Sequence, residues 1–452
     1  MLVIKHKGYF TLLAIYRQGG KIFRIMNGYD AALKVIMSLN SAGYDAFLVG
    51  GCVRSFLMNL LPADFDIATS ASVEEVERVL DCRPIGSGEQ HGTVKVIVDG
   101  EDHGIEVTTY RYGGKTLTDD LSRRDFTVNA IAWHPSREMI DPFGGREDIR
   151  NRVIRGVVDA RLRFGEDPLR ILRGLRFAAL FGFRVEEETA EAVHGMAGTL
   201  SGVAPERVRD ELTKILCAPY AESVLTEFAD VLGEVIPEVR EMIGFEQHNS
   251  YHYLDVYAHT VKVVVEVKNT PELRWAALFH DIAKPRCFFM GENGQGHFYG
   301  HDKTGAETAE VIMNRLRFDN ATKRTVEFLI SEHCINFPAN TKTARRLLSR
   351  HGYDNVMKLL ELQRADLAAH VELPENEAQL RRAFELIQEV IDEDACLKIT
   401  DLAVNGHDMI ALGLKGPAIG KTLAALLEAV VDGELSNSRE ELISFAKKIP
   451  PA

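Results

Sequence analysis

The sequence predicts an α+β fold: a small mixed β-sheet near the N-terminus, followed by a helical remainder. Two observations predict it. Short strand-like runs, at 47–49, 64–67, 93–98 and 105–110, fall in the first quarter of the chain, and helical spacing of apolar residues dominates afterwards. The 452 residues are 46% hydrophobic and 26% charged, an ordinary globular composition with room for about three domains at ~150 residues each.

Bulk properties narrow the function classes. No run of ~18 apolar residues suggests a membrane span. The six cysteines (Cys52, Cys82, Cys217, Cys287, Cys334, Cys396) show no CxxC spacing. That argues against a disulfide scaffold or zinc ribbon and for reduced thiols in a cytoplasmic protein. Net charge is −13, unexpected for a nucleic-acid binder. Its distribution matters more than its sum. Arg111–Arg176 holds 14 Lys and Arg against 10 Asp and Glu, a net of +4, so the remainder carries −17.

The elements follow in order. Residues 1–25 are basic and apolar without clear helical period, and no small-residue cleavage site follows a continuous apolar core. They are expected as an extension, with the recognisable domain and the true start near Met26. Ala31–Asn40 has apolar residues at 33, 36 and 37, a helical spacing ended by Gly43. Phe47–Val49 is an apolar strand. Gly50-Gly51 then lets backbone approach a phosphate, and the helix expected after Gly51 would point its N-terminus at that phosphate. In the run Asp64-Phe65-Asp66-Ile67, strand alternation projects Asp64 and Asp66 to one face. Two carboxylates beside a phosphate-cradling turn suit hard divalent ions carrying a nucleotide. A DxD pair by itself also reads as a solvated strand face.

Ser72 and Glu75 form a capping box. Thr93–Val98 and Ile105–Tyr110 read as a hairpin turning at Asp99-Gly100. Glu106 lies between Ile105 and Val107, and alone reads as an exposed strand residue. In Arg123–Ala130 (RRDFTVNA), Arg124 offers a planar fork of donors for triphosphate or ribose oxygens. Asp125 and Asn129 offer partners for ribose hydroxyls. The alternative is an Arg124–Asp125 pair holding a helix start. Asp141–Ile149 is a glycine-containing turn or a hinge. Asp167 suits an N-cap and Pro168 the first helical position, while Arg170, Arg173 and Arg176 recur along one helical face. Such a stripe is usually solvated. Pro205–Lys214 reads as a charged helix bracing the arginine helix.

Taken in order, GGCVR…DFD, RRDFTVNA, DPFGGREDI, EDPLRILRGLRF and ERVRDEL resemble the motifs of the DNA-polymerase-β-like nucleotidyltransferases, in the branch of bacterial tRNA CCA-adding enzymes and poly(A) polymerases. The resemblance covers nearly the whole chain. Ser55 departs from it, standing where an acidic residue is usual. The resemblance implies a polymerase-β-like head over 26–160, a neck over 161–244, a helical body over 245–375 and a tRNA-binding tail over 376–452. It implies that Asp64 and Asp66 hold two Mg2+ ions, with Glu106 as a third carboxylate. Gly51, Arg54, Arg124, Asp125 and Asn129 would bind the nucleotide. Asp167 and Arg170 would pair with the edge of the incoming base, and Arg173 and Arg176 would meet phosphates. The expected partners are tRNA, CTP and ATP, with neither DNA nor a membrane.

The body resembles the HD phosphohydrolase superfamily through His259, His280-Asp281, His301, His333 and Asp366. Imidazoles and carboxylates together suit a divalent or transition metal. By this resemblance His259, His280, Asp281 and Asp366 hold one metal, and His301 and His333 hold a second or bind phosphate. Thr341–Arg350 reads as a basic helix, and Gly413–Lys421 as a glycine turn suited to RNA phosphate. Between Arg111 and Arg123 only residues 112–122 intervene. Relatives that add a full CCA end are longer here, and the short segment implies addition of CC, with A addition weak or absent. A poly(A) polymerase, an HD phosphohydrolase with an inactive head and a non-catalytic RNA binder are the other readings.

Overall fold

The computed structural model describes residues 2–6, 9–13, 19–81, 92–96, 105–111, 114–249, 252–336, 338–371 and 374–449. The expected turn at Asp99-Gly100 lies outside them. The chain forms two compact units, Met1–Val235 and Ile236–Ala452. No helix among the described residues is long and apolar enough to cross a membrane.

The first unit opens on an antiparallel pair, β1 (Leu2–His6) and β2 (Tyr9–Leu13), and a long helix, α1 (Gly19–Ser41). This helix begins well before Ala31 and runs through Met26.

The sheet follows: β3 (Ala46–Val49), β4 (Asp66–Thr69), β5 (Thr93–Val96), β6 (Ile105–Thr109) and β7 (Ala132–Trp133), in spatial order β5-β6-β4-β3-β7. It is mixed, because β4 and β6 run parallel and the other pairs antiparallel. Both faces are covered. Ala46, Leu48, Ile67, Val94 and Val107 pack with α1 on one side. Phe47, Val49, Ala68 and Ala132 pack with Leu117 and Leu121 on the other. Two-sided burial is why β3 is apolar throughout instead of alternating.

Short helices dress the sheet. α2 (Gly51–Leu57) leaves the Gly50 turn, and α3 (Val73–Leu80) carries the full Ser72/Glu75 capping box. α4 (Leu117–Ser122) has a second box, from Thr116 and Asp119. Asp141 accepts from the amides of Gly145 (2.8 Å) and Arg146 (2.9 Å), where α5 (Gly145–Asn151) begins. Beyond the sheet come β8 (Val153–Ile154), α6 (Ala160–Glu166), α7 (Leu169–Phe181), β9 (Arg184–Val185), α8 (Glu187–Met196) and α9 (Pro205–Leu216). α7 bears the arginine stripe. Its Gly174 sits over the fully buried Phe126 ring, and a Cβ there would lie 2.7 Å from the ring tip. That close approach joins the arginine helix to the RRDFT segment.

Among the described residues, the second unit is helical apart from one short strand pair, Phe289–Met290 with Gly296–His297. The helices Val256–Glu266, Pro271–Phe279, His301–Arg315, Asn320–Glu332 and Tyr353–Ala368 enclose the histidine cluster. The basic helix runs Thr341–His351, and two further apolar clusters stabilise the region beyond it.

Candidate active site

A cleft of about 520 Å³ opens in the first unit. Its floor is the Gly50 turn. Gly50 has φ +73° and ψ −132°, a conformation essentially limited to glycine, and a Cβ there would lie 2.9 Å from Arg124 Nη1. The turn therefore presents bare backbone and the start of α2 to the cleft.

The carboxylates stand at the sheet end. Val49 faces Asp66 across β3–β4, and Asp66 faces Glu106 across β4–β6. Asp64 is not in the strand, since β4 begins at Asp66 and Asp64 occupies the bend before it. The burial of Phe65 and Ile67 still turns Asp66 away from the core. Burial pushes the Asp66 carboxyl pKa up. Arg124 pulls it back down, and Glu106 and Asp64 push it up again. Asp64 and Asp66 both open onto the cleft, and their oxygen donors suit a hard divalent ion such as Mg2+.

Arginines form the walls. Arg54, Arg111, Arg124, Arg170, Arg173, Arg176 and Arg207 line the cleft with Asp64, Asp66, Asp125 and Asp167. Seven cations against four anions suit a polyanionic ligand. Each arginine is also held. Asp120, fully buried in α4, accepts from Arg124 Nε and Nη2 at 3.1 and 3.0 Å, and from the Arg111 amide at 3.1 Å. The alternative reading, an Arg124–Asp125 pair, is not what forms: Arg124 pairs with Asp120, because α4 supplies a carboxylate four residues upstream.

Asp125 pairs instead with Arg173, at 2.6 and 3.1 Å, and accepts from Asn129 and the Phe126 amide, each at 2.9 Å. Burial alone would raise its pKa. Arg173 and these donors outweigh it and hold the carboxyl well below the usual range. Arg54 bonds Asn129 and lies over the Phe177 and Phe181 rings, 4.8 and 4.9 Å from their centroids. Burial lowers its pKa to about 10, still a full cation at neutral pH.

Arg176 pairs with Glu211 of α9 at 3.2 Å, the brace expected of the charged helix. Arg170 donates to Glu166 (2.9 Å) and to the Arg123 carbonyl (3.1 Å). Asp167 accepts from the Leu169 amide (3.2 Å) and from Arg207 (3.3 Å). Asp125, Arg173, Asn129 and Arg54 are thus engaged with one another, and the other assigned arginines are held by neighbouring carboxylates, a preorganised lining.

In the second unit, the six expected residues converge. His259 Nε2 lies 2.9 Å from Asp366 Oδ1, and His280 Nε2 lies 3.2 Å from Asp281 Oδ2. His301 Nε2 lies 3.5 Å from Asp281 Oδ1 and 3.2 Å from His333 Nε2. Burial would lower the His280 pKa, but Asp281 and Asp366 raise it to about 10. Burial lowers His333 to about 4, with His280 adding to the shift. Lys284, His252 and His370 join the cluster unforeseen. The Lys284 ammonium sits 2.7 Å from Asp281 Oδ2, and His370 Nε2 3.4 Å from Asp366. Burial, with Lys284 beside it, lowers His252 to about 3.

Three family models match: a poly A polymerase head domain over residues 46–155, a "Probable RNA and SrmB-binding site of polymerase A" over 182–240, and a tRNA nucleotidyltransferase domain 2 over 301–446. The A-adding tRNA nucleotidyltransferase of Deinococcus radiodurans is 35% identical over 417 residues, covering 87% of this chain and 93% of that one. The chain belongs to the tRNA nucleotidyltransferase family. A CCA-adding enzyme of Streptococcus thermophilus is 31% identical, over 94% of this chain and 98% of its own. The crystal structure of the Bacillus stearothermophilus CCA-adding enzyme in complex with CTP superposes with a TM-score of 0.69 at 28% identity, over 93% of this chain and 97% of that one. The chain is therefore a nucleotidyltransferase with the polymerase-type head followed by a helical body.

For this tRNA nucleotidyltransferase, all the head residues singled out from sequence line one cleft except Glu106, which is adjacent to it by strand register. Arg111 and Arg207 were missed. Arg207 lies in a helix read as purely structural, and only its 40-residue contact to Asp167 reveals it. Residues 112–122, read as a short loop, are largely the capped helix α4 in their described part.

Proposed function

We propose that the chain transfers nucleoside monophosphates from CTP, and less readily from ATP, to the 3′ end of tRNA without a nucleic-acid template. The observation carrying this is the cleft itself: Asp64 and Asp66 beside a glycine turn, facing an arginine-rich wall. Asp64 and Asp66 would hold Mg2+, which supplies activation of the terminal ribose hydroxyl and charge neutralisation of the leaving pyrophosphate. The Gly50 turn and α2 approach the triphosphate. Arg124, Arg173 and Arg176 neutralise it. Asp125 and Asn129 face the ribose, and Asp167 with Arg170 reads the base edge. Asp167 accepts from an exocyclic amine and Arg170 donates to ring or carbonyl acceptors, which selects cytosine and adenine.

On subtype, the proposal is CC addition. Asp120 anchors both Arg111 and Arg124, so the link between them is short and tied at each end. It leaves little lever for reshaping the pocket from cytosine to adenine. The similarity to an A-adding relative supports a second reading, in which the chain adds only the terminal A. One experiment separates them: purified protein given tRNA lacking its 3′ end with CTP alone, and tRNA ending in CC with ATP alone. CMP incorporation without AMP incorporation supports the first reading, and the converse supports the second. Efficient use of both would make the chain a full CCA-adding enzyme.

The body cluster is proposed as a divalent-metal site built from His259, His280, Asp281 and Asp366, acting as a phosphohydrolase. Its support is the convergence of imidazole nitrogens and carboxylate oxygens in a buried place. We assign both activities to the cytoplasm, where tRNA matures.

A further inference from the structure

We propose that Cys334, with His301 and His333, forms a thiolate site for a zinc-class ion. This rests on reading the body cluster as metal-binding and adds to it a sulfur ligand and a metal class. Cys334 Sγ lies 3.3 Å from His333 Nε2 and 3.6 Å from His301 Nε2, and the two Nε2 atoms are 3.2 Å apart. A tetrahedral ion with Zn–N of ~2.0–2.1 Å and Zn–S of ~2.3 Å requires edges of about 3.3 Å between nitrogens and about 3.6 Å between nitrogen and sulfur. The three donors already stand at that spacing. Asp281 Oδ1 lies 3.5 and 3.9 Å from the two nitrogens, a carboxylate beside the three donors.

The ring orientations point the same way. His301 Nδ1 donates to the Phe298 carbonyl at 2.7 Å, and His333 Nδ1 donates to the Ile330 carbonyl at 2.6 Å. Each bond fixes the tautomer that leaves Nε2 as a bare lone pair, the arrangement usual in metal-binding histidines. Two such lone pairs facing each other repel unless a metal ion or a shared proton lies between them. A thiolate beside two imidazoles favours zinc over magnesium or calcium. Cys334 is exposed, so the corner is open to an entering ion.

The test uses Co2+ as a spectroscopic probe on the full chain after metal stripping. The expected result is a near-ultraviolet thiolate-to-cobalt charge-transfer band. Cys334→Ser should abolish it and weaken Co2+ binding at the site at least about tenfold, with CMP incorporation unchanged as proof of folding. His301→Gln should do the same if Cys334→Ser fails to fold. Asp366→Asn, on the far side of the cluster, should keep the band. Bound Co2+ without a charge-transfer band, or a band that survives in the Cys334 variant, overturns the thiolate site and leaves the metal reading of the body standing. A failure to bind Co2+ at all overturns both.

Discussion

Gly50 and Asp125 show how single residues set the cleft. At Gly50 any side chain meets both a forbidden backbone conformation and the Arg124 guanidinium. Gly50→Ala should cost about 1–3 kcal/mol of stability and lower CMP incorporation at least tenfold, read by thermal unfolding and by single-turnover kinetics. Asp125 tests the electrostatics. Its folded pKa is depressed by Arg173 and its hydrogen-bond donors, so its stabilisation is present above the unfolded value of about 4 and fades as pH falls towards the folded one. Asp125→Asn should therefore destabilise by roughly 3 kcal/mol at pH 7, with the gap narrowing below about pH 4. A gap that stays constant over that range would contradict the assignment. Asp64 and Asp66 were legible because both sit within three residues of chain. Arg207 was not, because its partner Asp167 is 40 residues away.

Among the elements, α4 and α7 carry the specificity argument. The helix α7 could be read from Pro168 and the arginine spacing, and the structure agrees to within a residue at its start. Its contacts could not, because they depend on Gly174 admitting the Phe126 ring. Asp167→Ala or Arg170→Ala should relax the CTP:UTP preference by roughly 1–3 kcal/mol, the size of a bidentate base contact. Arg207→Ala should shift the same ratio by freeing Asp167, and an unchanged ratio in all three variants would remove the template role from α7. The helix α4 escaped the sequence reading because a six-residue segment carries too little apolar periodicity, although Thr116 and Asp119 spell its capping box. Thr116→Ala should cost about 1 kcal/mol. A flexible insertion between Tyr112 and Thr116 should raise AMP addition to tRNA ending in CC if the tied link is what limits it.

At the scale of the whole molecule, the order of motifs along the chain was enough to foresee a sheet-bearing head and a helical body, since each motif carries its own local geometry. Where α1 begins was not foreseen. The two functional clusters fall in separate compact units, which predicts separable chemistry. The double variant His280→Ala/Asp281→Ala should lose metal-dependent hydrolysis of 2′,3′-cyclic nucleotides while CMP incorporation stays within about twofold of wild type, the variation expected of sites with no shared partners. Persistence of hydrolysis would place that activity elsewhere. The central claim, that the Asp64–Asp66 cleft is a tRNA-extending nucleotidyl transfer site, is tested most directly by labelled CTP with tRNA lacking its 3′ end. Wild-type protein should incorporate CMP in a Mg2+-dependent reaction, and Asp66→Ala should incorporate none while keeping the wild-type melting profile. Wild-type incorporation by Asp66→Ala would contradict the account.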